Sequence, residues 1–378
     1  MRFKKTAKNT SEKAEKPSKP TKKSSGKAAA GMAAKSVIGL EIGPASIRMV
    51  QIAGKGSGRV QLEKYAVEPL PQNVVSSSEI VNFDTLVSHL QQCYDKLKTN
   101  CKSTNVGLPV SMVTIEDNLL YSETGAEMSL QEFVEAEVVR VGALDEMNYD
   151  WHTFSANSKE QNVLMVATKT DNVNQFTDLL DEVGLNASNV DVDLFAMFNA
   201  FAYMDMMQGG ELANERIALF DIGDVSLKAL IVESGKILYR HEAAFGLDQM
   251  IHLIQRNYQV TESEALEMIS GRRQRPADYK TEVSDYFNMQ IAQEVQRALQ
   301  FFMTTRSDDS AVQQIFLSGS ACVPDSGLAE VVRISTNTTT QHIAPITLAE
   351  NKVKGGGDLA RDADSLTTAF GLALRGLY

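Results

Sequence analysis

The sequence predicts an α/β protein made of two related halves that face each other across a cleft. Short apolar runs with the two-residue alternation of strands are interspersed with segments of helical spacing. The opening pattern Val37-Ile-Gly-Leu-Glu-Ile-Gly43 returns as Ile217-Ala-Leu-Phe-Asp-Ile-Gly223, with the acid and the second glycine at matching positions. A repeat separated by this distance indicates two copies of one supersecondary unit.

Composition fits a globular protein of two or three domains that begins with a basic segment. Of the 378 residues, 43% are hydrophobic and 22% are charged, and the formal net charge is -11. Residues 1–35 are rich in lysine, and their only acids are Glu12 and Glu15. Because this segment lacks large apolar side chains, we predict that it is disordered. It is interpreted either as a solubilising tail or as an electrostatic tether to anionic lipid.

Several classes of protein are disfavoured. The three cysteines, Cys93, Cys101 and Cys322, show no metal-ligand spacing and form no even set, which indicates reduced thiols in a reducing compartment. No run approaches the ~20 apolar residues of a membrane-spanning helix, and the short apolar part of the first segment does not fit a signal peptide. The acidic body argues against nucleic acid as a partner. We therefore expect a cytoplasmic protein.

The first part of the chain shows the pattern of four strands and a helix. The first two strands, 36–43 and 46–52, would form a hairpin that turns at Gly43-Pro44-Ala45. The remaining elements are a strand over 60–67, a helix over 83–100 and a strand over 106–115.

The middle of the chain begins with a helix start signal. Ser129 and Glu132 match a capping box, which predicts a helix from Leu130 to Val141. The patterns that follow predict a strand over 163–168, a helix over 172–183, a strand over 190–193 and a helix ending near Met207. Asp171 is expected to cap the first of these helices, and Gln208-Gly-Gly210 marks a break before the repeat.

Each copy of the repeat joins its strands by a glycine turn beside an acid. Gly43 and Gly223 lack the Cβ that would block a phosphate, and the N–H groups of such turns hold anionic oxygens. Glu41 and Asp221, at the strand ends, would hold Mg²⁺ through water or orient an attacking water. The expected nucleotide-binding residues of the two turns are Gly43, Pro44, Ala45, Ser46, Gly223, Asp224, Val225 and Ser226. Two ordinary hairpins are the alternative interpretation.

A third element is expected to complete the nucleotide site. Gln314-Ile-Phe-Leu-Ser-Gly-Ser-Ala321 is a buried strand that ends in a turn of small residues, on which an adenine can lie. Gly319, Ser320 and Ala321 are its expected contacts. Glu264, in a helix predicted near 262–269, is interpreted either as a ribose partner or as a solvated surface acid.

The order of these elements is similar to the actin-like (ribonuclease H-like) fold of actin, sugar kinases and chaperone ATPases. Within that fold the chain resembles the PilM-type proteins of type IV pilus assembly, which are related to FtsA. The resemblance spans about Val37 to Tyr378. The stretches that carry it are Lys64-Tyr-Ala-Val-Glu-Pro-Leu-Pro71, Leu219-Phe-Asp-Ile-Gly223, Ala244-Phe-Gly-Leu-Asp-Gln249, Arg297-Ala-Leu-Gln-Phe-Phe302 and Ala369-Phe-Gly-Leu-Ala-Leu-Arg-Gly376.

The resemblance implies a division of the chain into subdomains. Residues 36–105 and 193–213 would form the first actin-like subdomain, closed by the C-terminal helix 364–376. Residues 106–192 would form a small inserted α+β subdomain. Residues 214–363 would form the second actin-like half.

The resemblance also implies a function. A protein of this type is a cytoplasmic scaffold of pilus assembly, peripheral to the inner membrane, that binds ATP or ADP with Mg²⁺. It grips the cytoplasmic N-terminal segment of the membrane protein PilN, in a groove of the insert and the first subdomain, and meets other pilus assembly proteins. The alternatives are an actin-fold small-molecule kinase, which would release ADP steadily with an acceptor, and an FtsA-like or type II secretion scaffold.

Departures from the family pattern predict a weakened nucleotide site with slow hydrolysis at best. Pro44 removes one N–H group from the first turn. Asp224 adds a negative charge beside the second turn, and it would repel phosphate unless a cation lies between. Ser318 and Ser320 flank Gly319 where relatives have a run of glycines, so an extra side chain crowds the base.

Overall fold

The computed structural model describes residues 36–56, 58–76, 78–122, 128–155, 160–305, 311–323, 326–353 and 359–375. The predictions for residues 1–35 and for the end of the last helix at residue 376 lie outside the described residues.

The strands are β1 (Ser36–Ile42), β2 (Ser46–Gly54), β3 (Val60–Pro69), β4 (Val75–Ser76), β5 (Glu79–Ile80), β6 (Ser103–Leu108), β7 (Thr114–Ser122), β8 (Met147–Ser155), β9 (Glu160–Lys169), β10 (Asn186–Val192), β11 (Ile217–Ile222), β12 (Leu227–Glu233), β13 (Lys236–Ala243), β14 (Gln314–Ser318), β15 (Thr339–His342) and β16 (Glu350–Asn351). The α-helices are α1 (Phe83–Leu97), α2 (Leu130–Val141), α3 (Thr170–Glu182), α4 (Asp193–Gln208), α5 (Leu247–Tyr258), α6 (Glu262–Ile269), α7 (Tyr286–Thr304), α8 (Leu328–Thr336), α9 (Leu359–Asp362) and α10 (Thr367–Arg375).

Two large sheets repeat one strand arrangement. The first sheet has the order β10-β6-β1-β2-β3-β16, and the second has the order β13-β12-β11-β14-β15. In each sheet three antiparallel strands form a meander, and a parallel strand lies beside the first of them. The duplication predicted from the sequence is therefore present in the strand topology.

Helix α4 lies between the two sheets. On one side it packs with α10 against the first sheet, through Ala200 and Phe370. On the other side Met197 and Phe201 pack against the inner face of the second sheet. Helices α1 and α3 cover the opposite face of the first sheet, and α5 to α8 cover the opposite face of the second.

Small residues allow α10 to approach its neighbours closely. A Cβ at Gly39 of β1 would overlap the carbonyl oxygen of Ala369, and a Cβ at Gly371 would overlap that of Ala196. The backbone of α10 therefore rests directly on β1 and α4. This contact fixes the strand that leads into the first glycine turn.

A small third sheet, with the order β7-β9-β8, carries helix α2 on one face. The capping box is confirmed, because Ser129 and Glu132 exchange both expected hydrogen bonds at the start of α2. Among the described residues, none of the helices combines the length and the apolar character needed to cross a membrane.

The structure differs from the sequence prediction in several details. The strand expected over 106–115 is two strands, because Pro109 precedes a 3₁₀ turn at Val110–Met112 that separates β6 from β7. Strand β8 was not predicted, although Met147, Tyr149 and Trp151 alternate along it as strand residues do. Lys169 rather than Asp171 is the N-cap of α3. Strands β6 and β10, expected in the insert, belong to the first sheet, and so does β16, expected in the second half.

Candidate functional site

The two repeated turns have the same geometry and line one cavity. The N–H group of Gly43 donates to the carbonyl oxygen of Ser46 at 2.9 Å, and that of Gly223 donates to Ser226 at 2.9 Å. Both turns, with Pro44 beside the first, lie on the wall of a cavity of about 280 Å³. The structure thus places the two copies of the repeat face to face.

Each acid of the repeat has a basic residue opposite it on the neighbouring strand. Glu41 of β1 lies opposite Arg48 of β2, and Asp221 of β11 lies opposite Lys228 of β12. All four residues line the cavity. Sequence reasoning missed both basic residues, although each lies two positions after the serine of the repeat, and that shared spacing was the available signal.

Arg48 crosses the cleft to Asp224 of the second turn. Its Nη2 atom donates to the two carboxylate oxygens of Asp224 at 2.9 and 2.8 Å, and its Nη1 atom is 3.6 Å from Glu41. The hydroxyl groups of Ser46 and Ser320 also donate to Asp224, at 3.2 and 2.6 Å. One buried carboxylate therefore joins all three elements that the sequence assigns to nucleotide binding.

Lys228 crosses the cleft in the opposite direction. Its Nζ atom donates to Oδ2 of Asp193 at 2.5 Å. Asp193 directly follows β10 of the first sheet, and its other oxygen accepts from the N–H groups of Val110 and Leu194. Each half of the molecule thus sends one cation to a carboxylate of the other half.

The cavity contains more buried acid than base. Four carboxyl groups, those of Glu41, Asp193, Asp221 and Asp224, and the exposed Glu242 at the rim line it together with two cations. Burial raises the pKa of Glu41 to about 7, and burial also raises the pKa of Asp221. Burial opposes ionisation of Asp224 too, but the charge of Arg48 and the hydrogen bonds it accepts hold its pKa below the ordinary value. The excess acid favours a proton or an added cation at this site.

A larger cavity of about 1160 Å³ lies on the other side of the Arg48–Asp224 pair, and both residues line it. Gly319 and Ser320 form part of its wall. Gly319 has a φ of +107°, and a Cβ there would overlap the carbonyl oxygen of Ile222, so only glycine fits. The Arg48–Asp224 pair therefore separates the acidic cavity from the space beside the third loop.

Three of the predicted nucleotide-binding residues lie outside this arrangement. Ala45 is exposed at the tip of the first turn. Ala321 is buried and donates its N–H to Ile222 at 2.9 Å. Glu264 caps α6 in a capping box with Thr261 and accepts from Arg273 at 2.5 Å.

A separate cavity of about 530 Å³ lies between the third sheet, α4 and the turn between β12 and β13. Its apolar walls come from the small sheet and α4, through Phe154, Leu164, Phe195 and Phe198. Arg375 and Asp191 lie at its polar end, 3.3 Å apart. A second cavity of about 560 Å³ shares Phe198 and continues along α4. We call the two cavities together the α4 groove.

The chain is similar to a known protein family and to several solved structures. The family model for the type IV pilus assembly protein PilM matches residues 39–377. Among solved structures, the chain is similar to a PilM-PilN type IV pilus biogenesis complex, with a TM-score of 0.73 and 19% identity over 90% of this chain and 98% of that chain. It is also similar to the ethanolamine utilization protein EutJ from Carboxydothermus hydrogenoformans, with a TM-score of 0.53 and 13% identity over 90% and 89% of the two chains. The fold is that of the actin-like ATPases, as the sequence predicts.

Proposed function

The chain belongs to the type IV pilus assembly protein PilM family, and on that basis we propose that it is a cytoplasmic scaffold of pilus assembly with two ligands. One is ATP or ADP, held with Mg²⁺ in the cleft. The other is the cytoplasmic N-terminal segment of a PilN-like membrane protein, which would keep the scaffold at the inner membrane. The observation that carries the nucleotide proposal is the convergence of all three loops on the carboxylate of Asp224.

Asp224 marks the position of an anion. Arg48, Ser46 and Ser320 surround its carboxylate as they would surround a phosphate oxygen. On nucleotide binding, Arg48 would exchange Asp224 for a phosphate group, and the link between the halves would change. Nucleotide binding would then act as a switch that closes the cleft, because the open and closed states differ in their affinity for the nucleotide.

Glu41 and Asp221 are the proposed partners of Mg²⁺. Burial raises the pKa of both carboxyl groups, and the charge of a bound Mg²⁺ would favour their ionised forms. Among the described residues, no group of three metal-ligating side chains is assembled. Phosphate and water would therefore supply most ligands of the ion, which is how Mg²⁺ is usually held beside nucleotides.

The nucleotide proposal is tested by Asp224→Asn. The change frees Arg48 for a phosphate group, so we expect ADP affinity to rise by about tenfold, which corresponds to ~1.4 kcal/mol. Without nucleotide the variant should lose about 3 to 5 kcal/mol of stability, because a buried charge pair is broken. Calorimetry with ADP and thermal melts measure both effects.

Ser320→Ala is the matched control, since it removes one hydrogen bond to Asp224 and leaves the ion pair intact. It should change stability by about 1 kcal/mol. If the Asp224→Asn variant is folded but binds ADP more weakly than the wild type, Arg48 does not exchange Asp224 for a phosphate group.

The α4 groove is the proposed peptide site. It lies between the third sheet and α4, and its apolar walls and polar end suit an extended segment that carries apolar side chains. Support comes from the similarity to a structure of a PilM-PilN complex. Other pilus assembly proteins, and anionic lipid bound through residues 1–35, remain predicted partners.

The peptide proposal is tested by Phe154→Ala. Truncating an aromatic side chain of the groove should weaken binding of a PilN-like N-terminal peptide by about tenfold or more. Phe301→Ala is the control, because Phe301 is 48% exposed on α7 outside the groove. Fluorescence anisotropy with a labelled peptide gives both affinities. Equal losses in the two variants would show that the peptide does not use the groove.

A further inference from the structure

The two cations of the acidic cavity occupy equivalent positions in the two halves. Arg48 of β2 and Lys228 of β12 each lie two residues after the serine of the repeat, and each reaches a carboxylate of the other half. Arg48 would exchange Asp224 for a phosphate group when a nucleotide binds. Lys228 lies on the wall of the same cavity, so a similar exchange is available to it.

The two cavities beside Arg48 suit different parts of a nucleotide. The larger one, of about 1160 Å³, has Gly319 of the third loop and the apolar side chains of Leu266 and Ile269 on its walls, so it has room for a nucleoside. The acidic cavity, of about 280 Å³, is lined by the two glycine turns and by charged groups. It is smaller than the ~300 Å³ at which ligand pockets usually begin. It therefore suits phosphate groups with a cation rather than a whole nucleotide.

The positions of the two cations give the order in which a phosphate chain meets them. Arg48 and Asp224 line both cavities, whereas Lys228 and Asp193 line the acidic one. A chain that starts from a nucleoside in the larger cavity therefore passes Arg48 first and reaches Lys228 last. Arg48 meets a phosphate that ADP and ATP share, and Lys228 meets the terminal phosphate that ATP alone carries.

The side chain of Lys228 is charged inside the cleft. Burial opposes its charge, but the nearby carboxylates of Asp193 and Asp221 outweigh burial and raise the pKa of Lys228 above its ordinary value. The ammonium group is a compact point charge on a flexible stem of four carbons, and such groups bind phosphate in many proteins. Lys228 therefore has the charge and the freedom of movement that a phosphate ligand needs.

Asp193 keeps its other partners when Lys228 leaves. Its Oδ1 atom accepts from the N–H groups of Val110 and Leu194, at 3.1 and 2.7 Å, while Lys228 binds Oδ2. The backbone thus fixes this carboxylate at the start of α4, and the flexible partner of the pair is Lys228. A terminal phosphate in the cavity would compete with Asp193 for the ammonium group.

We propose that Lys228 is the residue that distinguishes ATP from ADP. It binds Asp193 when the cleft is empty or holds ADP, and it transfers to the terminal phosphate when the cleft holds ATP. Asp193 competes with that phosphate and so limits the preference for the triphosphate. This inference rests on the proposed nucleotide site and adds to it the residue pair that selects between the two nucleotides.

Lys228→Met tests the inference in the full chain. Methionine keeps an apolar stem and removes the charge, so affinity for AMP-PNP, a non-hydrolysable ATP analogue, should fall by about tenfold or more, and affinity for ADP by less than about threefold. Calorimetry in the presence of Mg²⁺ measures both affinities, and circular dichroism checks the fold. Lys280→Met is the matched control, because it removes the same charge from an exposed ion pair with Asp285. It should leave both affinities unchanged.

Asp193→Asn should change the preference in the opposite direction. Its amide oxygen still accepts from the two N–H groups but carries no charge for Lys228, so affinity for AMP-PNP should rise by about threefold or more relative to ADP. If Lys228→Met leaves AMP-PNP binding unchanged or weakens both nucleotides by the same factor, or if Asp193→Asn lowers the preference for AMP-PNP, Lys228 does not select the triphosphate and the nucleotide site itself still stands. A wild-type chain that binds neither nucleotide at about 1 mM overturns both.

Discussion

At the scale of single residues, the buried charges of the cleft determine how it binds phosphate and cations. The sequence predicts that Asp224 repels phosphate unless a cation lies between them. The structure supplies a cation, because Arg48 of the opposite half binds the carboxylate of Asp224. Asp221 has a different environment. It is buried, its cation Lys228 bonds to Asp193 instead, and burial raises its pKa.

We expect Asp221→Asn to separate nucleotide binding from stability. A carboxyl group whose pKa is raised by folding opposes folding once the pH exceeds its unfolded pKa. Asparagine has no carboxyl group to ionise and has the same side-chain shape as aspartate. Stability without nucleotide should therefore be unchanged or higher at neutral pH. Affinity for Mg-ATP should fall by about tenfold, because one proposed partner of the ion is lost. Thermal melts and calorimetry measure the two effects.

The result bears on the role of Asp221. A loss of several kcal/mol in the nucleotide-free variant would show that Asp221 is needed to hold Lys228 in place. In that case the acid of the second repeat would be structural.

At the scale of secondary structure elements, the close contact of α10 with α4 holds the first half together. Gly371→Ala would place a Cβ 1.8 Å from the carbonyl oxygen of Ala196, so one of the two helix backbones must shift. We expect a loss of more than about 3 kcal/mol, above the usual cost of overpacking. Urea denaturation measures it.

Gly107→Ala is the matched control for this contact. Its Cβ would meet only side-chain atoms of Leu372, the nearest at 3.0 Å, so a shift of a few tenths of an ångström relieves the contact. A loss of about 1 kcal/mol is expected there. Similar losses for the two variants would show that α10 shifts to accommodate the new methyl group.

At the scale of the whole molecule, three carboxyl groups in separate places share one property. Burial raises the pKa values of Glu41, Asp191 and Asp364 to about 7. Their folded-state pKa values lie above the unfolded ones, so each group stabilises the fold at low pH and loses this effect as the pH rises toward 7. The nucleotide-free protein should therefore be less stable at about pH 8 than at about pH 5.

The variant Glu41→Gln measures how much Glu41 contributes to the pH dependence of stability. Glutamine resembles the protonated acid, so the variant should lose about 2 to 3 kcal/mol less than the wild type between about pH 5 and about pH 8. Denaturation with urea at both pH values measures the difference. The same pH dependence in both proteins would assign it to Asp191, Asp364 and other groups.

Local patterns in the sequence determined much of the architecture. The paired glycine turns, the capping box at Ser129 and the helix from Glu262 to Ile269 depend on hydrogen bonds and backbone preferences within a few residues. Because these preferences depend only on residues close together in the sequence, the elements could be predicted. The duplication was predictable for the same reason, because each copy carries its own glycine and acid.

Tertiary structure alone decided which charges meet. Arg48 and Asp224 are 176 positions apart, and Lys228 reaches an acid at the start of α4 rather than the one opposite it on the neighbouring strand. No local pattern specifies these partners, since they depend on how two sheets pack around α4. The same holds for the outer edge of β3, which β16 covers, because pairing between distant strands is settled only when the whole chain is folded.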